Sequence, residues 1–411
     1  MDLFDKFDTI SDRYQQILET GRDPFGVCMD GIKSATEVVI EGRDVILVGS
    51  NNYLGLTFNE ECIEAGQEAL AAHGTGTTGS RIANGTYLGH QALEQSLARL
   101  MDCSSAIIFP SGYQANLGVI ATLAGQTDYV LIDADCHACI YDGCAMSSAT
   151  IVRFRHNSPD DLDRRLTQLD GDGSNKLIII EGLYSMFGDV APLKEFAAVK
   201  RKHGAYLYVD EAHSLGVYGE HGRGLAEHAG VSADVDFLVG TFSKSLGSIG
   251  GFCASNHPKL DRLRFASRPY MFTASISPAT IATVIAAVNQ IEAHPELRER
   301  LWQNAQRLHD GISQLGLKLC APVSPIISIE MPSQESAVFA WNQLLELGVY
   351  VNLAIPPGTP GSKSLLRSSV SAAHTTEQID KIVMAFDAIA RGTGESYSEA
   401  PVVEVGAFSG T

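Results

Sequence analysis

The chain has 411 residues, 45% of them hydrophobic and 19% charged, which describes a globular protein with room for two or three domains and excludes a disordered one. Lys and Arg number 30 against 48 Asp and Glu, and the resulting net charge of −18 argues against a nucleic-acid backbone as partner. No apolar run reaches the roughly 18 residues of a membrane span, Met1 to Lys6 lacks a basic-then-apolar leader, and the scattered cysteines suit free thiols in a reducing cytoplasm.

Residues up to about 35 read as one amphipathic helix and a connector. Glu37 to Val48 reads as a β-hairpin, two apolar runs about a Gly-containing turn. The polar loop from Gly49 to Gly55 follows, with Asn52 as a candidate substrate ligand, and then a helix from Cys62 to His73. Gly74-Thr-Gly76-Thr-Thr-Gly79 spells a dinucleotide fingerprint, but a helix precedes it where a strand is required, so the nicotinamide reading fails. Cys136-His137-Ala138-Cys139, with Cys144 beyond, misses the spacing of paired zinc knuckles and has no second cluster to answer it, so no metal site is read.

From about 105 to 256 seven apolar runs recur: Ala106–Phe109, Tyr129–Ile132, Thr150–Phe154, Lys176–Ile180, Ala205–Val209, Asp236–Gly240 and Gly251–Ala254. Helical-length segments or loops separate most of them, which predicts a mostly parallel seven-stranded sheet covered by helices on both faces. From 279 onward the pattern changes to a smaller α/β unit, with helices at Ala279–His294 and after Pro295 and strands at Pro325–Glu330, Val349–Leu353 and Ser364–Ser368. The expected organisation is an arm of helix and hairpin over 1–48, a large domain over 49–280, a small C-terminal domain over 281–392, and a mobile tail or docking arm over 393–411.

Ligands on such a sheet sit beyond the carboxyl ends of its strands. The sixth run ends in Gly240-Thr241-Phe242-Ser243-Lys244, and a lysine at a buried strand end loses some of its charge preference, as a Schiff-base lysine for pyridoxal phosphate requires. A lysine snorkelling into solvent would give the same spacing. The fifth run ends in Asp210-Glu-Ala-His213. A carboxylate there could hold the proton on the cofactor's ring nitrogen, and the histidine could donate to its phenolic oxygen. Taken singly, Asp210 also reads as a helix cap and His213 as an interior histidine. After the first run, Ser111-Gly112-Tyr113 opens a helix whose N–H groups suit a phosphate, and Thr241 and Ser243 add hydroxyl donors.

Asp-x-x-His followed by Ser-Lys on the next strand resembles the fold-type I pyridoxal-phosphate enzymes, and specifically the α-oxoamine synthases, over about residues 7–391. The segments Asp133–Ala138, Ile140–Cys144, Arg153–Asn157, Glu181–Met186 and Arg268–Ser275 are most similar to the bacterial serine palmitoyltransferases of that family. The resemblance implies a large pyridoxal-phosphate domain with a smaller α/β domain, and a homodimer with shared active sites. It also implies a decarboxylating condensation of L-serine with palmitoyl-CoA, giving 3-oxosphinganine as the first step of sphingolipid biosynthesis. A lipid product leaves room for peripheral membrane contact. Another synthase of the family, of the 8-amino-7-oxononanoate or glycine C-acetyltransferase type, would differ only in its amino acid or acyl-CoA.

By the same resemblance Lys244 is both cofactor anchor and general base, His137 stacks on the cofactor ring and reaches the substrate carboxylate, and Arg367 binds that carboxylate. Thr273 is expected to reach the neighbouring subunit's phosphate, and the Gly74–Arg81 loop to shape the active-site mouth. Glu181 opens a loop expected to border the site, without an assigned role. One position departs from the pattern. Ile355 precedes Pro356-Pro357 where bacterial serine palmitoyltransferases carry an arginine, which leaves Arg367 alone with the carboxylate or points to a different substrate preference.

Overall fold

The computed structural model describes residues 2–392 apart from 20, 170 and 172, so the expected tail over 393–411 lies outside the described residues. In chain order the strands are β1 (Gly31–Ile32), β2 (Glu37–Ile40), β3 (Arg43–Leu47), β4 (Ser105–Phe109), β5 (Tyr129–Asp133), β6 (Thr150–Phe154) and β7 (Lys176–Glu181). They continue with β8 (Tyr206–Asp210), β9 (Phe237–Thr241), β10 (Gly251–Ser255), β11 (Ile326–Met331), β12 (Val349–Tyr350), β13 (Asn352–Ala354) and β14 (Ser364–Ser369). The seven apolar runs become one sheet in the order β4-β10-β9-β8-β7-β5-β6. Only β10 runs against its neighbours β4 and β9; the other pairings are parallel.

Buried parallel strands need apolar side chains on both faces, and alternate residues divide between two packed clusters. Val130, Ile132, Leu177, Ile179, Tyr208, Phe237 and Val239 face the helices Gly112–Leu123 and Ala138–Met146. Leu131, Ile178, Ile180, Leu207, Val209 and Leu238 face the other way, with Leu93, Leu162 and Phe196. Continuing the two-residue period, Glu181, Asp210 and Thr241 emerge at the strand ends on the first of these faces.

The hairpin forms as read, but in a four-stranded sheet of order β1-β2-β3-β12. The strand expected over Val349–Leu353 is two strands. β12 pairs in parallel with β3, and β13 pairs with β14 in a separate sheet of order β11-β14-β13. The break falls at Val351, whose carbonyl accepts from the Trp341 indole at 2.9 Å instead of continuing a ladder.

The loop following β7 ties the seven-stranded sheet to the three-stranded one. Arg367 Nε donates to Ser185 O at 2.5 Å, and Ser328 Oγ donates to Met186 O at 2.5 Å. The loop's far end is held by His156, whose Nδ1 and Nε2 lie 2.8 Å from Asp133 Oδ1 and 2.7 Å from Asp189 Oδ2. Asn157 adds a bond from Nδ2 to Asp189 Oδ2 at 2.7 Å.

Candidate active site

At the carboxyl ends of β7, β8 and β9 a cavity of about 330 Å³ opens. Gly112, Tyr113, His137, Asp210, His213, Thr241, Ser243 and Lys244 all line it, together with Asn116, Cys139 and Glu181. The lysine and the carboxylate therefore come from neighbouring strand ends of one site, the arrangement on which the cofactor reading depends.

Asp210 is 4% exposed and well supplied with donors. Asn116 Nδ2 donates to its Oδ2 at 2.7 Å, and Ala212 N donates to its Oδ1 at 2.8 Å. Tyr208, two residues earlier on the same face of β8, donates from its hydroxyl to Asn116 Oδ1 at 2.6 Å and fixes the amide's orientation. Hydrogen bonds to a carboxylate favour its ionised form, so this network delivers a negative charge to the cavity wall. Lys244 is half-buried, and burial lowers its amine to about 8 against the opposing pull of Asp210 and Glu181. An amine so placed is part neutral near pH 8 and able to act as nucleophile and base.

The helix Gly112–Leu123 points its N-terminus into the cavity, capped by Ser111, whose side chain accepts from Gln114 N at 3.1 Å. Glycine is required at 112: a Cβ there would stand 2.7 Å from Thr241 Cβ and 2.8 Å from its Oγ1. That approach brings the helix N–H groups beside the Thr241 and Ser243 hydroxyls, which lie 2.9 Å apart. A phosphate-sized group finds donors from both sides.

His137 caps the helix Ala138–Met146, with Nδ1 accepting from Cys139 N at 3.1 Å. A backbone N–H can only donate, so Nδ1 is unprotonated and the neutral ring carries its proton on Nε2. Burial lowers the His137 pKa, in keeping with a neutral ring. His213 is driven well below its ordinary value by burial first and then by Lys244 and Arg367, and its Nδ1 pairs with the Tyr53 hydroxyl at 2.7 Å.

Three of the expected residues stand outside the lining of this cavity. Arg367 is 6% exposed, and besides Ser185 its guanidinium holds Ser369 Oγ at 2.9 Å and Asn51 Oδ1 at 3.1 Å. Asn52, next to that Asn51, is buried; its Nδ2 donates to Thr57 at 2.7 Å while its Oδ1 has no partner among the described residues. Thr273 Oγ1 accepts from Gln114 Nε2 at 3.3 Å. The Gly74–Arg81 loop packs on the segment after Thr273, with Thr77 Oγ1 2.6 Å from Ser275 Oγ and Ser275 N donating to Gly79 O at 2.9 Å. The sequence reading had no role for Asn116, Glu181 or Tyr53. Asn116 had a signal, because it lies one helical turn beyond Gly112 and so faces the same way.

The family model for class I and II aminotransferases matches residues 43–386. The chain belongs to that family. Within this family it is 54% identical over 394 residues to a serine palmitoyltransferase of Caulobacter vibrioides, a match covering 96% of this chain and 98% of the relative. A serine palmitoyltransferase of Sphingomonas paucimobilis is 49% identical, with 96% and 94% covered. A serine palmitoyltransferase solved at high resolution with pyridoxal phosphate as its internal aldimine superposes with a TM-score of 0.94 at 49% identity, covering 96% of this chain and all of that one. These matches put this aminotransferase-family chain among the fold-type I α-oxoamine synthases. The residues present fit pyridoxal phosphate: an amine and an ionised acid lining one cavity, a glycine-opened helix N-terminus beside two hydroxyls, and an imidazole at the wall. Among the described residues no helix is long and apolar enough to cross a membrane.

Proposed function

We propose that this protein condenses L-serine with palmitoyl-CoA, releasing coenzyme A and carbon dioxide and yielding 3-oxosphinganine, the first step of sphingolipid biosynthesis. The observation that carries the reading is the convergence of Lys244, Asp210 and His137 on one cavity in a chain 54% identical to a serine palmitoyltransferase. When bound, pyridoxal phosphate supplies an electron sink for the pair left at the amino acid's α-carbon. Gly112, Tyr113, Thr241 and Ser243 would hold its phosphate, Asp210 its ring nitrogen, His213 its phenolic oxygen and His137 one ring face. Thr273 would complete the phosphate site of the neighbouring subunit in a homodimer with shared active sites.

Lys244 Nζ takes the α-proton, a task for which an amine lowered to about 8 is matched to neutral pH. Asp210 stays ionised throughout, supported by Asn116 and Ala212. His137 offers Nε2–H to the amino-acid carboxylate, and Arg367, anchored on Ser185, Ser369 and Asn51, presents a pre-organised guanidinium to the same group. Ile355, 8% exposed beside Pro356-Pro357, adds no charge at the position where bacterial serine palmitoyltransferases have an arginine, so Arg367 carries that recognition. Asn52, with its unpartnered Oδ1, is assigned to the substrate.

The test is mass-spectrometric product identification after incubating purified protein and pyridoxal phosphate with palmitoyl-CoA and serine, glycine or alanine in parallel. Serine-dependent 3-oxosphinganine is expected. Turnover with glycine or alanine and none with serine would reassign the chain to another α-oxoamine synthase.

A further inference from the structure

Glu181 is the one carboxyl group lining the cavity to which the reading above gives no task. It ends β7 in direct register with Asp210 at the end of β8, so two acids leave adjacent parallel strands on the same face, their backbones about 5 Å apart across the sheet. Glu181 is 4% exposed. Two carboxylates this close are not both cheaply ionised, and the one with more donors keeps the charge. Asp210 receives Asn116 Nδ2 and Ala212 N. Glu181 receives the backbone N–H of His137. The other ionisable groups that feel Glu181 are Lys244 after β9, Asp133 at the end of β5, Cys136 and Cys139 about His137, and Tyr184 in its own loop. Of these only Lys244 is a cation.

We propose that Glu181 is a positioning residue of this site, a neutral carboxyl that fixes His137 in place while leaving Asp210 as the single ionised acid of the pair. His137 is then held twice: its ring by the Cys139 N–H and its backbone by Glu181, so the imidazole stands at a set place on the cavity wall. Burial, and then the charge of Asp210, push the Glu181 pKa up to about 8, in accord with the count of donors.

The inference rests on the function proposed above, and its test separates the two. Glu181→Gln is the nearest mimic of a neutral acid and keeps an oxygen for the His137 N–H; Glu181→Leu removes the acceptor. Each purified variant is titrated with pyridoxal phosphate for its dissociation constant, then assayed with serine and palmitoyl-CoA. Expected are a cofactor affinity and a KM for serine within about threefold of wild type for Glu181→Gln, and a rise of about tenfold in both for Glu181→Leu, with the KM for palmitoyl-CoA unmoved. In a His137→Ala background, Glu181→Leu should add less than about twofold. A Gln variant as impaired as the Leu variant would mean that charge matters, and would overturn the proposal. So would a Leu variant with wild-type cofactor affinity, or full additivity with His137→Ala. Should Glu181→Leu fail to fold, the Gln variant alone still decides whether the resting acid is neutral. A wild-type protein that binds the cofactor but makes no product from serine would instead overturn the functional reading and leave the cofactor titrations to judge Glu181.

Discussion

Replacing His156 by leucine would remove the cation that joins Asp133 at the end of β5 to Asp189 in the loop after β7. Burial by itself would lower the imidazole's pKa, but the hydrogen bonds and charges of Asp133 and Asp189 outweigh it and push it from 6.5 up to about 10. Because the folded value is raised, the stabilisation is fully present below pH 6.5 and is lost as pH climbs through about 10. At about 1.36 kcal/mol per tenfold change the ceiling is about 5 kcal/mol, with about 4 kcal/mol present at pH 7 and roughly 1 kcal/mol at pH 9. The His156 side chain keeps 22% of its surface exposed, and solvent screening there brings the expected value at pH 7 to about 2–4 kcal/mol. His156→Leu also leaves Asp133, with no exposed side-chain surface, without its cation. Urea unfolding of cofactor-free protein, followed by circular dichroism, should show the variant weaker by that amount at pH 7 and the gap narrowing towards pH 9–10. A variant within 1 kcal/mol of wild type at pH 7, or a gap that does not change with pH, would refute the reasoning.

Lys244→Ala should lower kcat by at least about 10²–10⁴-fold and abolish the absorbance at roughly 420 nm on adding pyridoxal phosphate, read by spectrophotometry and product assay. Asn116→Leu deprives Asp210 of a donor and leaves the Tyr208 hydroxyl without its acceptor, so a stability loss of about 1–3 kcal/mol and weaker cofactor binding are expected from melting and titration. Gly112→Ala forces Thr241 and the helix N-terminus apart, which should cost about 1–3 kcal/mol and raise the cofactor dissociation constant, since the added Cβ has only 2.7 Å to Thr241 Cβ. Arg367→Lys cannot serve Ser185, Ser369 and Asn51 together. Its KM for serine should rise at least about tenfold in steady-state assays, with little change for palmitoyl-CoA.

Much of this architecture was legible because a buried parallel strand is written as an uninterrupted apolar run. All seven runs form strands of the main sheet, and the polar residues that end them, Asp210, Thr241 and Lys244, meet at one cavity as the strand-end rule requires. The reverse direction of β10 was not legible, since a Gly-Phe-Cys-Ala-Ser run reads the same in either direction. The split of the 349–354 stretch was hidden for a related reason: it depends on the Trp341 indole capturing the Val351 carbonyl, a contact across ten residues that no local pattern announces. Asn116 escaped, and Glu181 was placed at the border of the site without a role, because an amide on a helix and an acid at a strand end are ordinary in isolation. Their meaning comes from Asp210, which is 94 residues from the first and lies on the strand beside the second.

The split has a practical corollary for anyone recombining this enzyme with its relatives. Val48, just past the hairpin, donates to Tyr350 O at 3.0 Å and accepts from Ser369 N at 2.6 Å, so the amino-terminal ribbon is stitched both to β12 and to β14, the strand that carries Arg367. A chimera that imports residues 281–392 from another synthase while keeping the native first 48 would have to re-form those stitches across a foreign seam, one of them two residues from Arg367. On the role proposed for Arg367, selectivity for the amino acid draws on two distant pieces of the gene, and grafts should exchange both together.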